Sequence, residues 1–347
     1  MDRARIALNA IDLTGRGLEI GPAYDPLVPK SSGARIETVD HAVRDELVAK
    51  YADFGLGEDQ LNRIEPVDYV WTGGSLLDVI NERARYDYVV AAHVIEHTVD
   101  LVQFLADCEV LLTSAGRLAL IVPDKRYTFD RFRPVSTVGD VLEAHHTGGR
   151  FHPLGPLVDH QLYACRRGDA LGWGTSDDRR VELQFSDFEG VPEAVRDGLE
   201  QRAYRDTHRW LFTPASFRLL ISDLAQLGYH GFGTVASAPT EGFEFFVTLG
   251  KDMPTATEND RRKNLMQIER ELAETTVVAL QAELAAYQGV MPSGTQERAS
   301  QSEIIANQRA TIDHLQTALA DLYASTSWSL TRPIRRASTM LRRLRHR

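Results

Sequence analysis

The apolar residues in the first part of the chain form short runs, separated by segments in which apolar residues recur with helical spacing. The runs predict five strands, at 17–21, 34–40, 66–71, 86–92 and 117–123. Between the last two, residues 101–112 have the spacing of an amphipathic helix, which we expect to end at Ser114-Ala115-Gly116. Strands that alternate with helices in this way predict a parallel sheet covered by helices on both faces, a doubly wound α/β fold.

The pattern changes after the fifth strand. Residues 124–210 are polar, rich in turns and weakly periodic, and they contain five of the eleven histidines. Regularity returns at Thr213-Pro214, which is typical of a helix N-terminus. Two further strands, at 233–238 and 243–249, bring the sheet to seven strands. We therefore predict that 124–210 is an insertion that caps the strand ends.

Three regions are predicted from these patterns: a seven-stranded domain over 1–251, a helical region over 252–325 with a break near 289–295, and a basic amphipathic tail over 326–347. Beyond the break, mostly apolar residues alternate spacings of three and four, as along the seam of a coiled coil: Ile305, Gln308, Ile312, Leu315, Leu319 and Leu322. A single helix of this kind cannot bury its apolar stripe, so we expect it to self-associate or to pack on the rest of the chain.

Charge is distributed unevenly along the 347 residues. The formal net charge is −10, but residues 324–347 contain seven Arg and no acid, so this tail carries +7 and residues 1–323 carry −17. An acidic body disfavours nucleic acid as a partner, whereas a short basic tail suits an anionic membrane surface or an acidic protein. The tail is equally consistent with a solvated segment or with a helix docked on the acidic body.

Cysteine content and hydropathy point to a cytoplasmic protein. Two cysteines, Cys108 and Cys165, cannot build a disulfide framework, so we expect buried free thiols. No apolar run approaches the ~20 residues of a transmembrane helix. Any membrane contact is therefore expected to be peripheral, at the inner face of the membrane and through the tail.

Acidic residues stand at the ends of the first two predicted strands. Glu19-Ile20-Gly21-Pro22-Ala23 follows strand one, and Asp40 ends strand two. In a doubly wound sheet an acid after strand two can accept both hydroxyls of a ribose, so this arrangement predicts a nucleoside site. The G-x-G-x-x-G pattern that holds a dinucleotide pyrophosphate is missing, and an acid at position 19 suits a cationic ligand.

These segments resemble the class I S-adenosylmethionine-dependent methyltransferases. Leu18-Glu19-Ile20-Gly21-Pro22 resembles their first motif, Val39-Asp40-His41 their ribose acid, and Gly74-Ser75-Leu76-Leu77-Asp78 their adenine-side turn. The most specific match, Tyr86 to His97, is similar to the D-x-V-x-x-x-H-V-[LI]-E-H signature of the small-molecule and glycan branch, the type 11/23-like enzymes. The resemblance covers about residues 15–125 and 210–250. Ala23 and Asp25 depart from it, because the family has glycines in this part of the first motif.

The resemblance implies a Rossmann-like methyltransferase sheet, the cofactor S-adenosyl-L-methionine and the reaction class EC 2.1.1.-. It also implies cofactor contacts: Gly21 passes under the cofactor, Glu19 holds its amino group directly or through water, and Asp40 holds the ribose. Ser75 and Leu76 border adenine, and His93 lines the cofactor from strand four.

Methyl transfer to a hydroxyl needs a base, because the hydroxyl proton must leave as the new bond forms. The candidates are His97, His145 and His208; for His97, a helix-capping role fits the sequence equally well. A metal site could also be built from His145-His146, His152 and Asp159-His160, but this group has neither an H-x-x-x-H pair nor a cysteine partner. We expect no metal.

The C-terminal sequence and the insertion bear on the acceptor. Tyr323 to Pro333 is similar to the S-T-S-W-x-[LI]-T-x-P ending of many bacterial cell-surface glycan enzymes, and 124–134 mixes Arg with aromatic residues that suit a sugar or an anionic glycan. This resemblance implies O-methylation of a sugar hydroxyl in a cell-envelope glycan or its lipid-linked precursor. Two alternatives stay open: a soluble small-molecule acceptor, and a catalytically degenerate scaffold of a glycan-synthesis complex.

Overall fold

The computed structural model describes residues 3–177, 179–185, 187–251, 256–289, 306–314 and 317. Its nine strands are β1 (Arg16–Ile20), β2 (Arg35–Asp40), β3 (Tyr69–Val70), β4 (Tyr86–Ala92), β5 (Leu112–Pro123), β6 (Cys165–Arg166), β7 (Glu182–Leu183), β8 (Phe232–Glu241) and β9 (Glu244–Lys251). Its ten named helices are α1 (Arg3–Ala7), α2 (Arg44–Asp53), α3 (Glu58–Leu61), α4 (Leu77–Ile80), α5 (Leu101–Leu111), α6 (Val138–Thr147), α7 (Leu154–Tyr163), α8 (Val191–Glu200), α9 (Pro214–Gln226) and α10 (Glu258–Gly289).

Seven strands form one sheet in the order β3-β2-β1-β4-β5-β9-β8. The first five run parallel, and β9 is antiparallel to both β5 and β8. The predicted doubly wound, seven-stranded α/β sheet is confirmed, although its last two strands form an antiparallel hairpin at one edge. The strand order reverses between β1 and β4, which is where ligands bind in open α/β sheets.

Two element boundaries differ from the prediction. Ser114-Ala115-Gly116 does not follow a helix: α5 ends at Leu111, and β5 begins at Leu112, opposite Tyr86 of β4. The small residues are therefore part of the strand, because the chain turns directly from helix to sheet at Leu112, whose φ of −77° and ψ of 142° are extended. The strand predicted at 66–71 keeps only two residues, Tyr69 and Val70.

Both faces of the sheet are covered. On one face, Leu18, Val89 and Leu120 pack against α5 and α9, where Leu105 and Phe217 are fully buried. On the other face, Ala7 of α1 belongs to a smaller cluster with Val90, Ala119 and Phe246. Cys108 and Cys165 are buried and free, as expected.

The insertion between β5 and α9 has more regular structure than its weak periodicity predicts. It contains α6, α7 and α8 and the small antiparallel sheet of β6 and β7. α6 begins with a capping box in which Thr137 and Asp140 exchange side-chain to backbone hydrogen bonds. Local capping rather than a long apolar stripe marks its start.

By its internal contacts the chain divides into two compact units, Met1–Glu271 and Leu272–Arg347. In the first unit, the beginning of α10 is held to α9, because the Arg261 guanidinium donates to both oxygens of Asp223. In the second, α10 continues to Gly289 and residues 306–314 are helical. Most of the predicted coiled-coil seam and the whole tail lie outside the described residues. Within the described part of the chain, no helix has the length and apolar character needed to cross a membrane.

Candidate active site

The carboxyl ends of β1, β2 and β4 meet at the point where strand order reverses. Glu19, near the end of β1, is 2% exposed, and each of its carboxylate oxygens accepts one backbone N–H, from Leu27 at 2.7 Å and from Val28 at 3.0 Å. Burial raises the pKa of Glu19 to about 7, against the lowering effect of these two donors. The carboxylate holds the loop that follows β1 in place, and its predicted contact with a cofactor amino group stays a prediction.

The turn after β1 is built on a residue with left-handed backbone. Gly21 has φ +67°, and an added Cβ would lie only 2.8 Å from Cγ2 of Val94, so glycine is needed here for both reasons. Ala23, where the resembling family has glycine, also has positive φ (+45°). Its N–H donates to Oδ2 of Asp40 at 3.0 Å, which ties the turn to the end of β2.

Asp40 is almost completely buried at the end of β2. Its Oδ1 accepts the N–H of His41 at 2.8 Å and lies 2.7 Å from the same residue's Nδ1, while Oδ2 has only the Ala23 donor. One oxygen therefore keeps a lone pair for a further donor such as a ribose hydroxyl.

Ser75 and Leu76 are anchored to helix α5. The Ser75 hydroxyl donates to Asp107 Oδ2 at 2.9 Å, and the Leu76 N–H donates to the same oxygen at 2.7 Å. Leu76 is fully buried, whereas Gly73 and Gly74, just before it, have open space around their Cβ positions. These contacts fix the turn after β3, and the predicted adenine contact stays a prediction.

His93 follows β4 in a left-handed conformation, with φ +54°. Its Nε2 lies 2.8 Å from Oε1 of Glu244 at the start of β9, and Glu244 also accepts from Arg3 at 2.8 Å. Burial alone would lower the pKa of His93, but the hydrogen bond with Glu244 and the nearby carboxylate of Glu96 outweigh it and raise the pKa to about 9. Strained backbone at a non-glycine residue persists only where its surroundings hold it, as this network does.

Two of the three histidines predicted as bases come together beside β4. His97 ends the short 3₁₀ segment Ile95–His97, His208 lies just before α9, and their ring centroids are 4.6 Å apart in an edge-to-face arrangement. Glu96, fully buried between them, offers a carboxylate oxygen 3.9 Å from Nε2 of His97. Potential ligand atoms of Glu96, His97 and His208 all lie within 4.8 Å of one another.

Each of these two imidazoles has its Nδ1 against a second carboxylate. Nδ1 of His97 lies 2.8 Å from Oδ1 of Asp206, and Nδ1 of His208 lies 2.5 Å from Oδ2 of Asp130. Burial lowers the pKa of His97, but the neighbouring carboxylates of Asp206 and Glu96 outweigh it and raise the pKa. Both rings turn Nδ1 towards the second carboxylate, which leaves Nε2 as the nitrogen that faces away from it.

His145 has a different environment. It lies on α6 with Nδ1 2.8 Å from Oδ2 of Asp100, and its ring packs edge-on against Tyr229. None of its described contacts is with His97 or His208, so the structure does not join it to the pair. Two other histidines of the insertion lie next to the pair without joining it. His152 packs on Tyr204, whose hydroxyl donates to the carbonyl of His97, and His160 packs on Phe129, whose ring also contacts His208.

The basic residues predicted to bind an acceptor are instead used inside the insertion. Arg126 donates to both oxygens of Asp124, Arg133 donates to Asp130 at 2.7 Å, and both guanidinium groups are buried. Salt bridges that hold the cap therefore account for these two arginines.

Sequence reasoning missed several residues of the site. Glu96 stood inside the quoted motif without a role, and the signal that could have marked it is its position next to His97. Asp206 is two residues before His208 in a polar-aromatic run, but nothing in the sequence pairs it with His97. Asp130 and Glu244 reach the site only through tertiary structure.

The donor set at this edge fits a cationic nucleoside ligand such as S-adenosylmethionine. Asp40 has a free acceptor position at the end of β2. Gly73 and Gly74 leave room for a flat group against the backbone after β3.

No protein-family model and no curated protein matches the chain. Among solved structures, the chain is similar to the CcbJ methyltransferase from Streptomyces caelestis, with 14% identity over 72% of this chain and 93% of that one, at a TM-score of 0.38. It is also similar to the 1,6-didemethyltoxoflavin-N1-methyltransferase from Burkholderia thailandensis, solved with its substrate and S-adenosylhomocysteine (14% identity, 72% and 76% coverage, TM-score 0.35). At these values the similarities carry no argument about activity, and the fold rests on the strand order itself.

Proposed function

We propose that the chain is an S-adenosylmethionine-dependent methyltransferase (EC 2.1.1.-) whose acceptor is a hydroxyl group. The observation that carries this proposal is the placement of Asp40 and the Gly21 turn at the switch in strand order, at the same edge of the sheet as half-buried His97 and buried His208. A nucleoside position and a source of basic nitrogens therefore share one edge of the sheet. The motif order along the sequence supports the same assignment.

When bound, the cofactor supplies an electrophilic methyl group on a sulfonium. The acceptor oxygen forms a bond to the methyl carbon while the carbon–sulfur bond breaks, its electron pair stays on sulfur, and the hydroxyl proton leaves. In this chain Asp40 would hold the ribose and the Gly21 turn would pass beneath the ligand. His97 and His208 would supply lone pairs at the acceptor, with their rings held by Asp206 and Asp130.

We propose a sugar hydroxyl of a cell-envelope glycan, or of its lipid-linked precursor, as the acceptor. The support is the C-terminal sequence: a segment similar to the ending of bacterial cell-surface glycan enzymes, followed by six arginines. In this proposal the protein works in the cytoplasm, self-associates through residues 305–322 and reaches an anionic membrane surface through residues 326–347. Removal of 326–347 should then abolish sedimentation with anionic liposomes; unchanged sedimentation, or none by the intact chain, would favour a soluble acceptor.

The cofactor is tested by calorimetric titration of the full chain with S-adenosylmethionine and with S-adenosylhomocysteine. The informative variant is Asp40→Asn, which keeps the shape of the side chain but removes its charge and one acceptor. Asp53→Asn is the matched control, because Asp53 is exposed at the end of α2. We expect both ligands to bind the wild type and the control, and Asp40→Asn to weaken binding at least tenfold.

Absence of binding by the wild-type protein would overturn the proposal and leave the degenerate scaffold as the explanation of the fold. Equal binding by Asp40→Asn and the wild type would show that the ligand sits elsewhere. Thermal melting of each variant separates a lost contact from a lost fold.

A further inference from the structure

Glu96 is the most unusual charged residue at this edge of the sheet. It is completely buried, and neither carboxylate oxygen has a hydrogen-bond partner. The basic side-chain nitrogens nearest to Oε1 of Glu96 are Nδ1 of His93 at 3.4 Å and Nε2 of His97 at 3.9 Å. A buried carboxylate normally accepts several hydrogen bonds or binds a metal ion, because removal of its charge from water is costly.

We propose that Glu96, His97 and His208 bind a divalent transition-metal ion. Their ligand atoms lie within 4.8 Å of one another. Among the residues that the structure describes, no other group of three or more His, Cys, Asp or Glu side chains is close enough to share an ion. Bonds of 2.0–2.2 Å to the ion would require the three atoms to approach by roughly 1 Å.

The carboxylates behind the two imidazoles support the assignment independently. A histidine that binds a metal through one ring nitrogen almost always donates the other N–H to a carboxylate or carbonyl, which fixes the ring and raises its basicity. Asp130 stands in this relation to His208, whose Nδ1 lies 2.5 Å from its Oδ2. Oδ1 of Asp206 lies 2.8 Å from Nδ1 of His97, although this contact lacks the geometry of a hydrogen bond. In both rings Nε2 is therefore the nitrogen available to an ion beside Glu96.

The donor set indicates the class of ion. Two imidazoles and one carboxylate suit zinc, iron, cobalt or manganese, whereas magnesium prefers oxygen ligands and retains its water. Three protein ligands also leave coordination positions open. An acceptor hydroxyl bound there would have its pKa lowered and would lose its proton to solvent water before methyl transfer, so with the ion bound His97 and His208 would act as its ligands and not as the base. This last step rests on the proposed function, whereas ion binding does not.

Metal-free, tag-free full-length protein, titrated with Zn²⁺ and with Mn²⁺ in the calorimeter, tests the site. We expect one ion per chain, a rise in melting temperature with the ion, and Mg²⁺ affinity at least tenfold weaker. Glu96→Gln keeps the side-chain shape and should lower affinity at least 100-fold, as should His208→Ala. His145→Ala is the matched control, because His145 also has a carboxylate against Nδ1 but lies outside the cluster; it should bind like the wild type.

Failure of the wild type to bind any ion, or equal binding by His208→Ala, would overturn the metal site. In that case Glu96 is neutralised by its histidine neighbours alone. S-Adenosylhomocysteine titrated into the same preparations keeps the two proposals distinguishable. Ion binding without nucleoside binding would uphold the metal site and contradict the methyltransferase, and nucleoside binding without ion binding would do the reverse.

Discussion

Nδ1 of His208 lies 2.5 Å from Oδ2 of Asp130, and both side chains are buried. Asp130 is itself held by Arg133, whose guanidinium donates to Oδ1 at 2.7 Å. The pair makes Asp130 a positioning residue for the proposed metal ligand. The contact joins the two ends of the insertion, so a change at Asp130 should weaken ion binding and not only lower stability.

We expect Asp130→Asn to weaken Zn²⁺ binding 10- to 100-fold, because the His208 ring loses the charged acceptor that orients it. Asp100→Asn is the matched control, since Asp100 has the same relation to Nδ1 of His145, at 2.8 Å. Calorimetric titration measures both variants. Excess Zn²⁺ should restore full occupancy in Asp130→Asn. Wild-type affinity in a folded Asp130→Asn protein would contradict a positioning role.

Burial of Glu19 predicts a pH dependence of stability. The pKa of Glu19 is about 7 in the folded chain, above its ordinary value of 4.5, because burial disfavours the charged form. Between these values the folded state binds more protons than the unfolded state, so stability falls as pH rises from 4.5 to 7. The loss amounts to about 3 kcal/mol and is complete above pH 7.

Glu19→Gln should flatten this part of the profile. The variant loses one acceptor for the N–H groups of Leu27 and Val28, so we expect it to be less stable than the wild type at pH 5. Its free energy of unfolding should change less between pH 5 and pH 7 than that of the wild type. Urea denaturation at the two pH values gives both quantities, and parallel profiles would show that Glu19 does not titrate in this range.

The sheet could be predicted from sequence because each strand is marked by local residues. Tyr86 to Ala92 is a continuous apolar run of the kind that a doubly covered strand requires, and its bounds were predicted without error. The end of α5 could not be predicted, since Ser114-Ala115-Gly116 is typical of a helix stop and only the pairing of Leu112 with Tyr86 makes it strand. Tertiary pairing decided that boundary.

The candidate site was only partly predictable for a similar reason. His97 and His208 were found separately, one from a motif and one from a polar-aromatic run, but their contact depends on how the insertion folds back on β4. Glu96 carries no periodic or spacing signal of its own. Glu96 is a candidate ligand because it is completely buried without a hydrogen-bond partner, and this is a property of the folded chain.

Close packing between β1 and β4 predicts a severe effect at Gly17. A Cβ added there would lie 2.1 Å from Cζ of Tyr88, the residue paired with it across the strands, and the Tyr88 ring is buried. Gly17→Ala should therefore destabilise the protein by about 1–3 kcal/mol or more, because the ring must leave its position. Urea denaturation measures the difference.

Gly155→Ala is the control for Gly17→Ala. Gly155 is exposed in the first turn of α7, and an added Cβ meets nothing within 4 Å. Alanine in a helix is favoured over glycine by up to about 1 kcal/mol, so this variant should be as stable as the wild type or slightly more so. Equal stability of the two alanine variants would show that Tyr88 has room to move.

Two arginine–aspartate pairs with the same geometry should differ in their contribution to stability. Arg126 donates Nε and Nη2 to Asp124, and Arg179 donates Nε and Nη2 to Asp177, each two residues along the chain. Arg126 and Asp124 are buried, and the Arg126 guanidinium also donates to the carbonyl of Glu271 at 3.2 Å. Arg179 is largely exposed.

Arg126→Met should destabilise the protein by about 3–5 kcal/mol, because it leaves the charge of Asp124 buried with only uncharged donors such as the Thr240 hydroxyl. Arg179→Met should cost much less, because Arg179 is largely exposed and Arg167 still lies 3.5 Å from Asp177. Methionine retains much of the aliphatic stem in both variants, so the comparison isolates the charge. Urea denaturation of the two proteins at pH 7 gives the difference. Equal and small losses would mean that burial does not control the strength of these pairs. The Asp124–Arg126 contact would then contribute little to holding the start of the insertion against α10.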